Sequence, residues 1–313
     1  MNASAASPVG SSNEPHNTCS RQVGSGNSPT TLVAKAGSKR APYITAGRLA
    51  ATEKKLTPID WETIHDIAAM NVLSGNQLRR LHYQDSETGK RMARLNLKRL
   101  VELRLIARLG RRVGGERSGS EGFVYALDVA GQRLLGPTGR RPRRPWTPDS
   151  HHLAHALAVS ELYVRLREAE AKHELTLEQF DTEPRCWRSF HGPGGARLTL
   201  KPDAFALTGV GEFIDSWFVE LDRATEPLPR ITDKCKLYWR YWQSGREQAE
   251  HEVFPTVLYV VPTEHRKSQL AALLSRLPAE QRQLFQVTTS DQAVQAMASG
   301  ELVTTNQEKE VRP

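Results

Sequence analysis

Apolar residues recur at helical spacing in the first third of the chain and alternate strand-like further on. Trp61, Ile64, Ile67 and Ala68 fall at three- and four-residue intervals behind Asp60, which predicts a helix capped by that aspartate. Ser74 caps a second, short helix over Gln77–Leu81, and a third is predicted from Glu87 to Leu103. Leu105–Leu109 and Gly122–Leu127 then read as strands, joined by a loop, 114–120, rich in turn residues. Asp128–Leu135 adds a closing helix. Three helices followed by a hairpin is the order of a winged helix-turn-helix, placed at residues 43–135.

Beyond residue 150 the period changes. His151–Glu170 reads as a long amphipathic helix carrying Leu153, Leu157, Leu162, Val164 and Leu166. Apolar segments follow at Leu175–Leu177, Leu198–Leu200, Ala204–Leu207 and Trp217–Leu221. A helix over Arg230–Glu250, a strand over Thr256–Val261, a helix over Glu264–Leu277, a strand over Leu284–Thr288 and a helix over Ser290–Ala298 complete the pattern. This order predicts a mixed sheet flanked by helices, an α/β domain at residues 151–300.

Three segments lack the apolar residues to fold. Residues 1–42 are rich in Ser, Gly, Asn, Ala and Pro and read as a disordered tail, and 301–313 reads as a flexible one. Between the domains, 136–150 contains Pro137, Pro142, Pro145 and Pro148 with Arg140, Arg141, Arg143 and Arg144, a composition that predicts an extended, semi-rigid linker.

Charge sharpens the division. Residues 1–150 carry 24 Lys and Arg against 12 Asp and Glu, the remainder 19 against 23, within an overall charge of +8. A basic first half suits a polyanion, and an acidic second half suits other work. On the third helix Arg91, Arg94 and Lys98 lie within about 60° of one another, with Lys90 alongside, opposite the stripe Ala93, Leu97 and Leu100. A helix with one buried face and one cationic face is what a DNA groove and its phosphates require, although a solvated bundle helix gives the same pattern. Arg111, Arg112 and Arg117 at the hairpin, and the linker arginines, agree in sign.

The remaining features narrow the class. No apolar run approaches the roughly 20 residues of a bilayer span, and no basic, apolar leader opens the chain. Cys19, Cys186 and Cys235 are too scattered for a disulfide framework or a zinc site, so a cytoplasmic setting is expected. No phosphate-binding P-loop occurs, and Gly192-Pro193-Gly194-Gly195 reads as a loop. His151 and His155 share a helix face at metal-ligand spacing without a third ligand in the pattern.

The acidic residues are better ordered. Asp203 opens one strand, and Glu220 and Asp222, two apart near the end of the next, point to one face. Three converging carboxylates attract a hard divalent ion, Mg²⁺ or Mn²⁺, unless they are surface groups paired with Arg223 or Arg230. Lys234 and Lys236 follow within reach. Tyr238 and Tyr241 sit on the same helix as candidate nucleophiles, or as core or base-stacking aromatics.

At Pro202-Asp203 and Glu220-Leu221-Asp222 the chain resembles the PD-(D/E)XK nuclease fold, with Asp222 where that pattern has its lysine. Lys234 or Lys236 would then supply the cation from the helix. Over roughly 60–290, the winged-helix pattern with ELDRATEPLPRITDKCKLYWRYW resembles the replication-relaxation family of plasmid and mobile-element proteins. That resemblance implies binding to double-stranded DNA at a plasmid origin, in replication or in relaxation and nicking. Two outcomes follow from it: a metal-dependent nicking enzyme, or a non-catalytic relaxosome accessory or transcriptional regulator, acting alone or as a homodimer.

Overall fold

The computed structural model describes residues 44–112, 122–136, 141–145 and 148–299. The two predicted tails, Arg117 and Arg140 lie outside the described residues, as do the side chains of Arg111 and Arg112.

Helix α1 (Ala46–Glu53) precedes α2 (Pro58–Met70). The cap of α2 is Thr57, three residues before the predicted one. Pro58 takes the first helical position, where its missing N–H costs nothing, and Asp60 reaches back to accept from the Thr57 amide at 2.8 Å. Strand β1 (Leu73–Ser74) leads into α3 (Gly75–His82), where Ser74 and Gln77 exchange the reciprocal bonds of a capping box. Helix α4 (Glu87–Glu102) starts at Ser86, whose hydroxyl accepts from the Gly89 amide. Strands β2 (Ile106–Arg112) and β3 (Phe123–Leu127) pair antiparallel, β1 joins the far side of β3, and α5 (Val129–Leu134) follows.

The second region opens with α6 (Ser150–Ala171) and strand β4 (Thr176–Thr182). Strands β5 (Arg188–His191) and β6 (Arg197–Leu200) form a separate hairpin, so Leu198–Leu200 is not part of the main sheet. Next come β7 (Ala204–Val210), β8 (Phe213–Leu221), α7 (Leu228–Gln243), α8 (Arg246–His251), β9 (Thr256–Val261), α9 (Glu264–Leu274), α10 (Ala279–Arg282), β10 (Phe285–Thr289) and α11 (Ala293–Ala298). The predicted helix over Arg230–Glu250 is two helices. Gly245 adopts φ 65°, a left-handed conformation that glycine accepts without a Cβ clash, and it ends the first while starting the second.

The main sheet has the order β10-β9-β8-β7-β4. Its first three strands are parallel and require the crossovers α7 and α9, whereas β8, β7 and β4 run antiparallel, β7 and β8 joined by a tight turn and β4 joined to β7 through the β5–β6 hairpin. Strand alternation sorts the core onto two faces. Ala204, Ala206, Trp217, Val219, Leu258 and Val260 face α6 and α11, while Phe205, Phe218, Val257, Tyr259 and Val261 face α7 and α9.

The first face also belongs to the helical region. One apolar cluster joins Ile64, Ile67 and Leu73 to Val159, Leu162 and Ala204. Polar contacts fix the same seam: Arg80 meets Glu168 through two bonds, of 2.7 and 2.6 Å, and Glu161 through a third. Gln77 donates to the Leu157 carbonyl at 3.0 Å. None of the helices among the described residues is long and apolar enough to cross a membrane.

Candidate functional site: a basic helix face and a carboxylate pocket

Helix α4 presents the cations as its periodicity requires. Ala93, Leu97 and Leu100 are buried, and Arg91, Arg94 and Lys98 are exposed on the opposite side. Lys90 is half-buried and bonded to Glu87 at 2.9 Å, and Lys98 stands 3.8 Å from Glu102. Arg91 and Arg94 make no ion pair among the described residues. Met92 and Leu95, each about half exposed, lie among these charges. In the linker, Arg141, Arg143 and Arg144 are exposed. The chain there is tethered to α5, because Gln132 accepts from the Arg143 amide and donates to its carbonyl, at 3.0 and 2.6 Å.

The second site lies at the C-terminal end of β8, where ligands of open α/β sheets collect. It is a pocket of about 440 Å³ that includes Asp203, Glu220, Asp222, Lys234 and His155 in its lining. Register explains the meeting of the first two: Ala204 opposes Val219, so Asp203 comes level with Glu220. Each carboxylate has its own partners. Asp203 contacts His155 Nε2 at 3.2 Å and accepts from the Leu221 amide at 2.7 Å. Glu220, 2 % exposed, receives Lys234 on one oxygen and the Tyr238 hydroxyl on the other, the latter at 2.5 Å. Asp222 accepts from Arg266 Nε at 2.6 Å and from the Ala224 amide at 2.8 Å.

These partners set the protonation. Burial pushes the Glu220 carboxyl up to about 7, against the pull of Lys234. Burial alone would depress Lys234, but the charges of Glu220 and Asp203 hold it above its ordinary value. Burial also works to raise Asp203, yet the His155 bond and the Lys234 charge keep it below the usual carboxylate range. The bond to Asp203 raises His155 in turn.

The donor set therefore does not fit a resident Mg²⁺ or Mn²⁺. The attraction expected of three repelling carboxylates is already met by Lys234, Arg266 and His155. No group of three His, Cys, Asp or Glu positioned to hold a metal occurs among the described residues.

The other candidate residues take positions that decide between the alternatives their spacing left open. Lys236 is exposed and bonded to Asp233 at 2.9 Å, because residues two apart on a helix point about 200° apart and only Lys234 can face Glu220. Tyr238 and Tyr241 are fully buried core residues. Their hydroxyls donate to Glu220 and to the buried Glu247, and burial raises both phenols, so neither oxygen is presented to an incoming phosphodiester. His151 faces Thr225 at 3.4 Å, whereas His155 serves Asp203, so the histidine pair is not a ligand pair.

His155 and Arg266 are the members that residue spacing missed. His155 carried only the signal of its helical spacing from His151. Arg266 carried none, since 44 residues separate it from Asp222.

Together these features define a mixed α/β protein whose helical region displays cations and whose sheet ends in a charge-balanced pocket. The family model described as Replication-relaxation matches residues 64–257, more than half of the chain, and the chain belongs to that family. No curated protein and no solved structure matches it significantly.

Proposed function

We propose that this protein binds double-stranded DNA of a plasmid or mobile element, in replication or relaxation, through a winged helix comprising α2–α4 and the β2–β3 hairpin. The observation that carries this reading is the exposure of Arg91, Arg94 and Lys98 on one face of α4 while its opposite face is buried. Phosphates neutralised by such cations release counterions, so binding must weaken with salt. Replacing all three with Ala should lower the slope of log affinity against log salt by about 0.9 per lost phosphate contact. An unchanged slope excludes α4 from the DNA interface. In this reading the second region mediates protein contacts as a relaxosome accessory, and the cations nearest the Asp203, Glu220 and Asp222 carboxylates, Lys234, His155 and Arg266, are taken up by those carboxylates.

Nicking by a PD-(D/E)XK-like second region is the other reading. It is favoured by the level placement of Asp203 and Glu220 beside Lys234 in one pocket. Incubation with supercoiled plasmid, with and without Mg²⁺ or Mn²⁺, separates the two. Nicked circles that disappear in an Asp203→Ala, Glu220→Ala double variant support cleavage. A gel shift without nicked circles supports the accessory role.

A further inference from the structure

Beside the basic face of α4 lies a recess. It runs between α4, the start of α3 and the β2–β3 sheet, with a volume of about 450 Å³, within the roughly 300–1,000 Å³ of small-molecule sites. Its floor is apolar, with Ala93, Leu97 and Val101 along α4. Its lining includes five cationic residues, Arg79, Lys90, Arg94, Lys98 and Arg108, against the single carboxylate of Glu102. An apolar recess inside a cationic frame fits a ligand with a flat, poorly charged body and an anionic backbone.

Two observations describe how such a body is held. The Arg108 guanidinium lies over the Phe123 ring, 4.1 Å from its centroid. Both groups line the recess, and base planes stack on aromatic rings and guanidinium groups alike. Tyr125, only 5 % exposed, also lines it, and its hydroxyl makes no hydrogen bond to any described residue. That hydroxyl is not among the enclosed side-chain atoms that lack a partner, so water reaches it, and the edge of a nucleobase can supply a donor or acceptor in place of that water.

From these we infer that the recess is a binding site for one unpaired DNA nucleotide. Its base stacks at Arg108 and Phe123 and bonds the Tyr125 hydroxyl, while its strand continues across Arg94 and Lys98. Those two residues belong both to the exposed face of α4 and to the lining, so a strand bound on α4 passes the opening. Paired bases cannot enter, since their planes are stacked and their edges face a partner strand. The site thus recognises a melted or distorted step within DNA bound on α4, and it rests on the DNA-binding reading above.

The test uses three labelled duplexes of the same flanking sequence: fully paired, with one extrahelical thymidine, and with one extrahelical abasic nucleotide. The last two carry identical phosphates, so they differ only in the base. Binding followed by fluorescence anisotropy should favour the thymidine over the abasic duplex by about tenfold, the order of one stacked base. Phe123→Leu should abolish that preference and Tyr125→Phe should reduce it, each read as the ratio of thymidine to abasic affinity within the same variant. Equal affinity for thymidine and abasic duplexes, with paired DNA still bound, overturns the nucleotide site alone. That is also the result expected if a segment of this chain or a second copy fills the recess. Failure to bind any of the three overturns the DNA-binding reading and this site with it.

Discussion

Helix α4 and the pocket at the end of β8 are both rich in charge, and they dispose of it in opposite ways. On α4, Arg91 and Arg94 stand in solvent without an ion-pair partner among the described residues. At the pocket, Lys234 and His155 meet the lining carboxylates Glu220 and Asp203, and Arg266 reaches the lining carboxylate of Asp222. An exposed cation is screened by water and ions, contributes little to folding, and is available to an outside polyanion. A buried cation paired with a carboxylate has its charge committed before any ligand arrives, and removing its partner is costly. The contrast leaves the α4 cations available to an outside partner and commits the charges of Lys234, His155 and Arg266 to architecture.

The largest test of that assignment is Lys234→Met. It leaves the Glu220 carboxylate buried beside Asp203 with Tyr238 as its remaining donor, and should cost roughly 3–5 kcal/mol, read from the urea midpoint. The loss should depend on pH in a defined sense. A carboxyl whose folded pKa is raised favours folding at low pH and loses that contribution as pH rises through the folded value. Glu220 is already pushed up to about 7 with Lys234 present, and removing the lysine raises it further. The variant should therefore be closer to wild type at pH 5 than at pH 8. Adding Glu220→Gln should recover part of the stability. A loss below about 0.5 kcal/mol at pH 8 would mean that the pocket's cations are as free as those of α4.

A second test asks whether the helical region also uses one charge internally. Asp60 is fully buried, accepts from the Thr57 amide, and pairs with Arg99 at 2.5 Å. Burial opposes its ionisation, but the Arg99 and Thr57 bonds hold its carboxyl below the ordinary range. Its contribution is thus present at neutral pH and lost as pH falls through that lowered value. Asp60→Asn should cost about 2 kcal/mol at pH 7, the sum expected for a cap and a charge-assisted bond. It should also flatten the acid limb of the stability curve below about pH 4. The same loss at pH 7 and pH 2 would place the effect in packing rather than charge.

How legible this molecule is follows from the range over which its interactions act. Ser74 and the stripe Ala93, Leu97 and Leu100 are local signals, complete within one helix, and the structure uses them as read. The strand Thr256–Val261 is equally plain, as a continuous apolar run fits a central parallel strand. Asp60 misleads because an acidic residue serves equally as a cap and as the third residue of a capping box, and Thr57 takes the outer position. Helix α1 was not predicted because its sequence, AGRLAATE, has too few apolar positions to show a period. In the pocket, Glu220 and Asp222, two apart in sequence, both join the lining, and strand register brings Asp203 level with Glu220. The partners of these carboxylates come from α6, α7 and α9, and no local pattern announces a pairing made through tertiary packing.

The smallest expected effect makes the sharpest distinction, because Lys234 and Lys236 differ in sequence only by two positions. Lys236 is exposed, and its pair with Asp233 is a surface contact within one helix. Such pairs contribute about 0.3–0.5 kcal/mol, so Lys236→Ala should shift the urea midpoint hardly at all. Lys236 is also absent from the pocket lining, whereas Lys234 contacts Glu220 there. Lys236→Ala should therefore leave any DNA nicking at wild-type levels, while Lys234→Met removes both stability and that activity. Measuring both variants in one denaturation series and one plasmid assay separates helix face from sequence proximity. A nicking defect in Lys236→Ala at unchanged stability would show that the exposed side of α7 touches DNA. The division between the exposed cations of α4 and an internally balanced sheet region would then have to be redrawn along α7.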